Sequence, residues 1–478
     1  MKSEALKYIP VNLANIFISF GTITILTRLL SAAEFGRYAL VITTLNFIHM
    51  GFFTWLEASM SRFHERADKT DSLDSHFKTL YYSAAAVLTL LIPLLSFAVF
   101  ALEVDSRMRL LLTFAIVSTA VHLFYNLTQE CHKAAHRIGR YSAVHSTQLV
   151  LSFSAGILLV MFTPLREAGP FVGMIIGGLI TVIVELPWLI IRMMGGRFKP
   201  ALIREYFLYG TPICFSLILA YALENGDLYF IRFYLNDAAV GAYSAGYNLA
   251  SRSFDFIFVW LAMAAMPLAI STLERSGEDE TRRVLSDYGD LLIMIALPAA
   301  IGIALVSKEA VIVLGEPVRN DALIVMPWIA FAALLNGFIN YYVHQAFVLA
   351  KKLQLLAAIM VLPVLINFGL NIVFIPQYGL VGALIATLCA YSVAIIVTVI
   401  AARRVFPLPL PVMTFAKCGL GCLIMAAGLY AIPFNEMWPD LITLFLKAIS
   451  GGVIYVAAIY ALDTAGIRKI IKSRSLKA

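Results

Sequence analysis

A few charged residues lie inside long apolar stretches of the sequence, and their side chains could do chemistry that their surroundings cannot. Arginine can bind phosphate oxygens in a bidentate manner through its planar guanidinium, and a carboxylate can hold a proton or a sodium ion. Charge in an apolar environment is costly, so each residue is a candidate for a binding or coupling site. The arginines are Arg28, Arg232 and Arg252, and the carboxylates are Glu185, Glu224 and Asp227.

The spacing leaves a structural and a functional interpretation open for each residue. Arg28 ends its apolar stretch, so it either extends to the membrane interface or acts as a cation in a cavity. Arg232 can pair with Asp227 or Glu224, which are three residues apart and would share one helix face. That group is either a structural ion-pair cluster or a site for a coupling proton or sodium ion.

Arg252 and Glu185 lie deeper within their stretches. Arg252 either pairs with Asp255, three residues later, or faces a cavity, where its positive charge would be available to a ligand. Glu185 is close to Pro187, which frees a backbone carbonyl that could help to hold a cation, or which kinks the helix.

Two further groups of residues offer less chemistry. His132 and His136 follow Cys131 at a spacing that metal ligands use, but no carboxylate or second cysteine completes the set. Glu57 and Arg62 are expected to form an interfacial salt bridge. We therefore predict no metal and no cofactor, and the lack of an ATP-binding phosphate loop leaves an ion gradient, the membrane potential or the substrate gradient as the energy source.

Composition indicates which elements position these side chains. Of 478 residues, 61% are apolar or aromatic and 14% are charged, against about 45–50% and about 25% in soluble domains. This balance excludes an ordinary soluble enzyme and a disordered chain, and it indicates that lipid surrounds most of the protein. The five cysteines form no Cys-x-x-Cys pair, and we expect buried free thiols.

Fourteen apolar stretches are long enough for membrane-spanning helices, which need about 20 residues each. They are continuous rather than alternating, so strands are excluded. The stretches cover residues 9–30, 37–58, 79–102, 109–130, 141–162, 171–191, 207–231, 241–270, 288–314, 322–350, 354–375, 380–402, 412–433 and 441–462.

Lysine and arginine orient these helices. With the N-terminus inside, the inner segments hold 25 of these residues and the outer segments hold 5. We therefore predict cytoplasmic termini and an even number of spans. The net charge of +7 then reflects this one-sided distribution and not a nucleic-acid-binding surface.

An internal repeat divides the spans into two copies. Residues 35–38 (FGRY) are echoed by residues 240–243 (VGAY), and Arg28 is echoed by Arg232, at similar offsets. Further matches follow in the same order along the chain. Because each copy holds an even number of spans, the copies would be parallel, with a pseudo-two-fold axis along the membrane normal.

The predicted fold is therefore an all-α polytopic membrane protein with fourteen helices. Residues 1–200 would form an N-lobe of helices 1–6, residues 205–405 a C-lobe of helices 7–12, and residues 406–478 helices 13 and 14 with a basic cytoplasmic tail. The lobes would surround a central cavity and rock between inward-open and outward-open states. The longest polar loops, near residues 60–78 and 272–287, are too short for a catalytic domain.

Three segments resemble the polysaccharide branch of the MOP (multidrug/oligosaccharidyl-lipid/polysaccharide) exporter superfamily. They are residues 27–38 (TRLLSAAEFGRY), 227–244 (DLYFIRFYLNDAAVGAYS) and 375–383 (IPQYGLVGA). The whole chain is similar to O-antigen flippases of the Wzx type and to related capsule and exopolysaccharide transporters.

This resemblance implies a flippase, not an enzyme, that moves an oligosaccharide on undecaprenyl diphosphate to the outer leaflet of a bacterial inner membrane, for O-antigen of lipopolysaccharide, capsule or exopolysaccharide. Its partners would be the lipid-linked oligosaccharide, membrane lipid, a polysaccharide polymerase and glycosyltransferases, with no nucleic acid. Such flippases use a cationic cavity, into which Arg28 and Arg252 would fit, with Arg232 as the repeat partner of Arg28. Asp227, Glu224 and Glu185 are the candidates for ion coupling.

Three alternative functions stay open at this point. An ion-coupled multidrug antiporter of the same superfamily would have twelve spans and an acidic cavity. An integral-membrane enzyme of glycan transfer would need a large outer loop with carboxylates, whereas the predicted outer loops are short. A membrane scaffold without transport activity is the third alternative.

Overall fold

The structure is a computed structural model that describes residues 9–101, 103–435, 438–466 and 468. Helices joined by short turns make up this part of the chain, and it contains no strand. The helices of the first half are α1 (Ile9–Leu29), α2 (Ala32–Phe52), α3 (Thr54–Lys69), α4 (Leu73–Ala101), α5 (Ser106–Ala134), α6 (Ile138–Phe162), α7 (Gly169–Gly195), α8 (Pro200–Asn225) and α9 (Asp227–Tyr234). Those of the second half are α10 (Asp237–Ser276), α11 (Glu278–Leu305), α12 (Ser307–Ala310), α13 (Glu316–Phe338), α14 (Gln345–Leu349), α15 (Leu353–Tyr378), α16 (Leu380–Val405), α17 (Val412–Ala431) and α18 (Asp440–Ala461).

Most of these helices are long and apolar enough to cross a bilayer. Within the described residues twelve pass this test, with α13 and α14 taken together, and the bent pair α2–α3 brings the number to thirteen. In α1, Ala14–Leu29 forms a shorter apolar helix. The prediction of an all-α polytopic membrane protein is confirmed, and the count of fourteen spans stays a prediction.

The second predicted span is a broken helix. α2 and α3 meet at 49° around Phe53, and α3 continues to Lys69. The prediction of a polar loop over residues 60–78 is therefore wrong. Hydropathy locates only the part of a helix that lies in hydrocarbon, whereas α3 keeps its helical form because one face of it, including Leu56 and Met60, is fully buried.

The second predicted polar loop, over residues 272–287, is also wrong. α10 runs to Ser276 and α11 begins at Glu278, so Gly277 alone separates two long helices. Gly277 has a φ of 81°, a left-handed conformation that glycine adopts without steric cost. The first turn of α11 is acidic, which suits the positive end of the helix dipole.

The chain forms two compact units. Unit 1 is Met1–Arg232 with Asn236–Gly241, and unit 2 is Phe233–Leu235 with Ala242–Ala478. The predicted boundaries of the two lobes and the predicted parallel repeat stay predictions.

In unit 1, α6 and α7 pack through small residues. A Cβ atom added to Gly173 would lie 2.5 Å from the backbone nitrogen of Gly156, and one added to Gly177 would lie 2.8 Å from that of Ser152. Small residues let helix backbones approach closely where lipid gives no hydrophobic driving force. This close packing holds two walls of the site described below.

The core of unit 2 includes α17 and α18, the helices beyond the predicted repeat. Buried Cys418, Cys422 and Tyr455 from these two helices join one apolar cluster with side chains of α10, α11 and α13. Tyr455 also donates a hydrogen bond of 2.9 Å to the carbonyl of Met294 in α11. The last two helices are therefore integral to unit 2.

All five cysteines are free, as predicted. Four are buried, but Cys389 on α16 is exposed, so the expectation of burial fails for this one thiol. The buried cysteines are Cys131, Cys214, Cys418 and Cys422.

Candidate functional site

Unit 1 contains a cavity of about 320 Å³ between α1, α5, α6 and α7. Much of its wall is apolar, and polar side chains enter it from four helices, α1, α2, α5 and α6. These side chains are Asn15, Thr22, Tyr38, His122, Tyr125, Asn126, His145, Gln148 and Ser152. A cavity that carries amide, hydroxyl and imidazole groups can hold water or a polar ligand within an apolar protein.

Hydrogen bonds and ring contacts fix the polar wall. Tyr125 Oη and His145 Nδ1 lie 2.6 Å apart and join α5 to α6. The rings of Tyr141 and His145 stack with centroids 5.5 Å apart, and Gln148 donates a bond of 3.1 Å to Ser152. These contacts restrict the rotamers of the groups that face the cavity.

His122 also lines a second, smaller cavity of about 40 Å³ together with His49 of α2. His49 Nε2 lies 2.9 Å from Glu57 Oε1 of α3. The prediction of a Glu57–Arg62 salt bridge is wrong: Arg62 instead lies over the ring of Tyr209, 6.0 Å from its centroid. Both Glu57 and Arg62 lie on α3, and a spacing of five places them on different sides of the helix, since only residues three or four apart are neighbours on its surface.

Sequence analysis missed the three histidines at these cavities, His49, His122 and His145. It weighed formally charged residues within the apolar stretches and did not weigh neutral titratable ones. An imidazole within a predicted span was the signal that could have found them.

Glu185 is buried in α7 and has partners from two other helices. Arg140 of α6 donates two hydrogen bonds to its carboxylate, of 3.0 and 2.9 Å. His132 Nε2 of α5 lies 3.2 Å from Oε2. The sequence weighed His132 only as a metal ligand, and the structure places it against a carboxylate from a distant part of the chain.

A cavity of about 200 Å³ lies between α3, α4, α5 and α7, near one end of unit 1. Arg137 and Arg192 line it; Arg137 lies over the ring of Trp188, 5.5 Å from the centroid, and Arg192 lies 3.3 Å from Asp74. His64 also lines this cavity, and its buried Nδ1 has no hydrogen-bond partner among the described residues. The pocket thus presents two guanidinium groups, one of them paired with a carboxylate.

At the other end of α5 and α7, Glu34 is buried at the start of α2. Ser31 and Glu34 form a capping box, in which each backbone N–H donates to the other side chain. Arg166 donates two bonds of 3.0 and 2.8 Å to the Glu34 carboxylate, and Arg107 lies 3.5 Å away. A residue of the motif at 27–38 therefore ties the start of α2 to the turn before α7.

Asp237 joins arginines from both copies of the repeated motif. Arg37 donates to Glu167 at 3.0 and 2.7 Å and lies 3.6 Å from Asp237. Arg232 forms an ion pair with Asp237 as well. All four residues belong to unit 1, so the predicted Arg232 site is part of an ion-pair network with Asp237, which the sequence did not single out.

Glu224 and Asp227 do not share an unbroken helix. α8 ends at Asn225 and α9 begins at Asp227, with Gly226 between them. Gly226 itself keeps helical dihedral angles, with φ −64° and ψ −27°, and the expectation that both carboxylates share one helix face stays a prediction. Asp227 is fully buried, and Glu224 is half-buried.

Arg28 and Arg252 are both exposed, at the end of α1 and within α10. Arg28 belongs to unit 1 and Arg252 to unit 2. The side chain of Asp255 lies outside the described residues, so the proposed pairing of Arg252 with Asp255 stays a prediction.

The fold is that of a known class of membrane transporter. Across 98% of this chain and 100% of the other, the structure is similar to the lipid II flippase MurJ in an inward closed conformation, with a TM-score of 0.78 and 13% sequence identity. It is also similar to an inward-facing multidrug resistance MATE family transporter of the MOP superfamily, with a TM-score of 0.68 and 12% identity over 82% of this chain and 94% of that one.

The chain belongs to the polysaccharide biosynthesis protein family, whose profile matches residues 4–273. A relative from Haloferax volcanii, named as the probable low-salt glycan biosynthesis flippase Agl15, is 22% identical over 462 residues, which cover 94% of this chain and 93% of the relative. Together with the fold, these similarities confirm the resemblance to the polysaccharide branch of the MOP superfamily. The named proteins are flippases and transporters, not enzymes.

Proposed function

We propose that this protein is a flippase that moves a lipid-linked oligosaccharide from the cytoplasmic to the outer leaflet by alternating access. The observation that supports this most strongly is the family membership, which joins a transporter fold to polysaccharide biosynthesis. The similarity to a relative named as a glycan flippase, over nearly the whole of both chains, points to the same class of substrate.

The physical problem for such a substrate is its polar head group. A diphosphate and its sugars cannot cross hydrocarbon unaided, because burying charge without a partner costs many kcal/mol. A cavity with polar lining groups, such as the one of about 320 Å³ in unit 1, lowers this cost. A lateral opening would let the undecaprenyl tail stay in the bilayer while the head group crosses.

Arg28, Arg232 and Arg252 are the proposed contacts for the diphosphate. The exposure of Arg28 and Arg252 supports this role, since a substrate cation must be reachable. Arg232 already faces Asp237, so a phosphate would have to compete with a carboxylate there. Arg252, which lies within the long helix α10 rather than at a helix end, is the first choice for mutation.

Asp227, Glu224 and Glu185 remain the proposed residues for ion coupling. The burial of Asp227 and Glu185 supports the idea, because the charge of a buried carboxylate depends strongly on its partners. Glu185 also has a structural explanation, since Arg140 balances its charge.

The proposed location is a bacterial cytoplasmic membrane with both termini in the cytoplasm, as the bias in lysine and arginine indicates. The glycan would serve O-antigen, capsule or exopolysaccharide synthesis. Glycosyltransferases would supply the lipid-linked oligosaccharide, and a polysaccharide polymerase would use the flipped product.

Deletion of the gene in its host, with labelling of undecaprenyl-linked glycans, tests the proposal. We expect the lipid-linked oligosaccharide to accumulate on the cytoplasmic face and to reach the surface again when the gene is restored. Normal surface glycan together with altered efflux of cationic dyes would contradict the proposal and favour the multidrug antiporter.

A further inference from the structure

Unit 2 contains a cavity of about 660 Å³ that is separate from the site described above. The end of α11, the short helix α12, the end of α17, the start of α18 and the segment between these last two helices form its walls. Its volume lies within the range of about 300–1,000 Å³ that is usual for ligand-binding sites. The bias in lysine and arginine predicts that residues 434–441 of the connecting segment lie on the outer side of the membrane.

Aromatic rings are exposed in this cavity. Tyr430 is 96% exposed and Trp438 is 43% exposed, and both line the cavity together with Phe434. Such rings commonly anchor a membrane protein at its interface with water, but an anchoring role does not require a cavity with charged walls. An aromatic ring also offers a flat apolar face to the C–H groups of a ligand, and tyrosine and tryptophan add a polar group beside it.

Four charged side chains line the same cavity, and their charges balance. Lys447 of α18 donates a hydrogen bond of 2.5 Å to Oε1 of Glu309 in α12 and lies 5.6 Å from the centroid of the Phe434 ring. Lys308 and Asp440 also line the cavity, and both are exposed. Among the described lining residues, two ammonium groups are thus matched by two carboxylates. This balance favours an uncharged polar ligand, because a charged ligand would lie close to a like charge.

Glu309 carries a hydrogen-bond acceptor that lacks a donor. The residue is only 5% exposed, and its Oε2 atom has no hydrogen-bond partner among the described residues. A buried carboxylate oxygen without a donor is costly. Because Glu309 lines the cavity, a hydroxyl group of a bound ligand can supply that donor.

A saccharide matches this combination of groups. Each pyranose ring presents C–H groups on its faces and hydroxyl groups around its edge. It can therefore stack on an aromatic ring while its hydroxyl groups donate to carboxylates and accept from ammonium groups.

We propose that this cavity binds a short uncharged segment of the transported glycan at the outer surface of the membrane. Trp438 stacks on a sugar ring, and Glu309 and Asp440 accept hydrogen bonds from its hydroxyl groups. That the ligand belongs to the transported glycan rests on the proposed flippase function, whereas saccharide binding itself does not.

Saturation-transfer difference NMR of the full chain in lipid nanodiscs tests the site. The probe is the oligosaccharide released from the host's lipid-linked glycan by mild acid, which removes the diphosphate and the lipid. We expect the wild type to bind it and Trp438→Ala to bind it about tenfold more weakly, as the loss of an aromatic anchor commonly does. Trp438→Phe should keep most of the affinity because a ring remains, and Asp440→Asn should weaken binding several-fold.

Trp260→Ala is the matched control. Trp260 is 64% exposed on α10 and is not among the residues that line the cavity, so this variant should bind the oligosaccharide as the wild type does. No binding by the wild type, or equal binding by the wild type and Trp438→Ala, would overturn the proposal. If the wild type instead retains a phospholipid through detergent purification and Trp438→Ala loses it, the cavity is a lipid site and the proposal fails.

Flipping assays in proteoliposomes separate this proposal from the flippase function. A wild-type protein that flips the lipid-linked oligosaccharide but does not bind the free oligosaccharide would refute the saccharide site alone. Binding of the oligosaccharide that depends on Trp438, without any flipping, would support the site and count against the flippase function.

Discussion

Gly36 and Gly241 pack backbone to backbone, and each stands in the same relation to the other. A Cβ atom on Gly36 would lie 2.9 Å from the nitrogen of Gly241, and one on Gly241 would lie 3.1 Å from the nitrogen of Gly36. Each would also overlap the carbonyl oxygen of the residue four positions before the other glycine, Asp237 or Ala32. The contact is thus reciprocal, and both glycines belong to unit 1.

Gly36→Ala is expected to destabilise the protein. The added methyl group meets backbone rather than a flexible side chain, so the helices must separate, at a cost of about 1–3 kcal/mol. The midpoint of thermal aggregation, measured by size-exclusion chromatography of heated samples in detergent, should fall. Gly452→Ala is the matched control, because a Cβ there meets nothing within 4 Å and alanine favours a helix by about 1 kcal/mol; its midpoint should stay the same or rise. Equal effects at both positions would contradict this view of the Gly36–Gly241 contact.

Glu34→Gln should also lower thermal stability, by about 1–3 kcal/mol, because the charged hydrogen bonds from Arg166 are lost. Arg166 is 38% exposed and can turn towards water, so a larger loss is not expected. Glu65→Gln is the control: its pair with Lys69 is 81% and 71% exposed, and such surface pairs contribute little to stability. If the two substitutions had the same small effect, the Glu34 network would have no special role in stability.

A double-mutant cycle separates the two interpretations of Glu185. If Glu185 mainly balances Arg140, Glu185→Gln and Arg140→Gln should each lower stability, and the double mutant should be less destabilised than the sum, with an interaction of about 0.5–3 kcal/mol. Additive effects on stability, together with transport that no longer responds to an ion gradient in Glu185→Gln, would instead favour the coupling role.

Arg252→Ala should reduce transport at least tenfold while expression stays intact, if the guanidinium binds the diphosphate. The corresponding free-energy loss is about 1.4 kcal/mol. Initial rates in proteoliposomes measure this, and Arg283→Ala, at a 79% exposed position that pairs with Glu280, serves as the control. Normal transport by Arg252→Ala would assign the residue to a structural role beside Asp255.

The sequence was most informative where a single property decides the structure. Continuous apolar stretches predicted the helices, including the stretch at 241–270, which lies within the 40-residue helix α10. The separation of 322–350 from 354–375 also corresponds to a break between helices, after Leu349. The bend at Phe53 was not predictable from hydropathy, because the apolar stretch at 37–58 continues past this residue without a break.

The site was harder to predict, because its pairs join distant parts of the chain. Glu185 and Arg140 are 45 residues apart, and Arg37 and Glu167 are 130 apart. The sequence offered only residues close by along the chain, such as Arg62 for Glu57. Pairing across helices depends on how α5, α6 and α7 pack, which no local pattern contains.

The distribution of thiols makes the orientation of the protein measurable without first removing its cysteines. Four of the five are buried, and Cys389 lies midway along an apolar helix, α16, where a membrane-impermeant maleimide does not readily reach. A cysteine introduced into a turn, for example at Gly277 or at Thr163, would then be the main reactive group in intact cells. Labelling from outside at position 163 and not at position 277 would establish the sidedness that the basic residues predict.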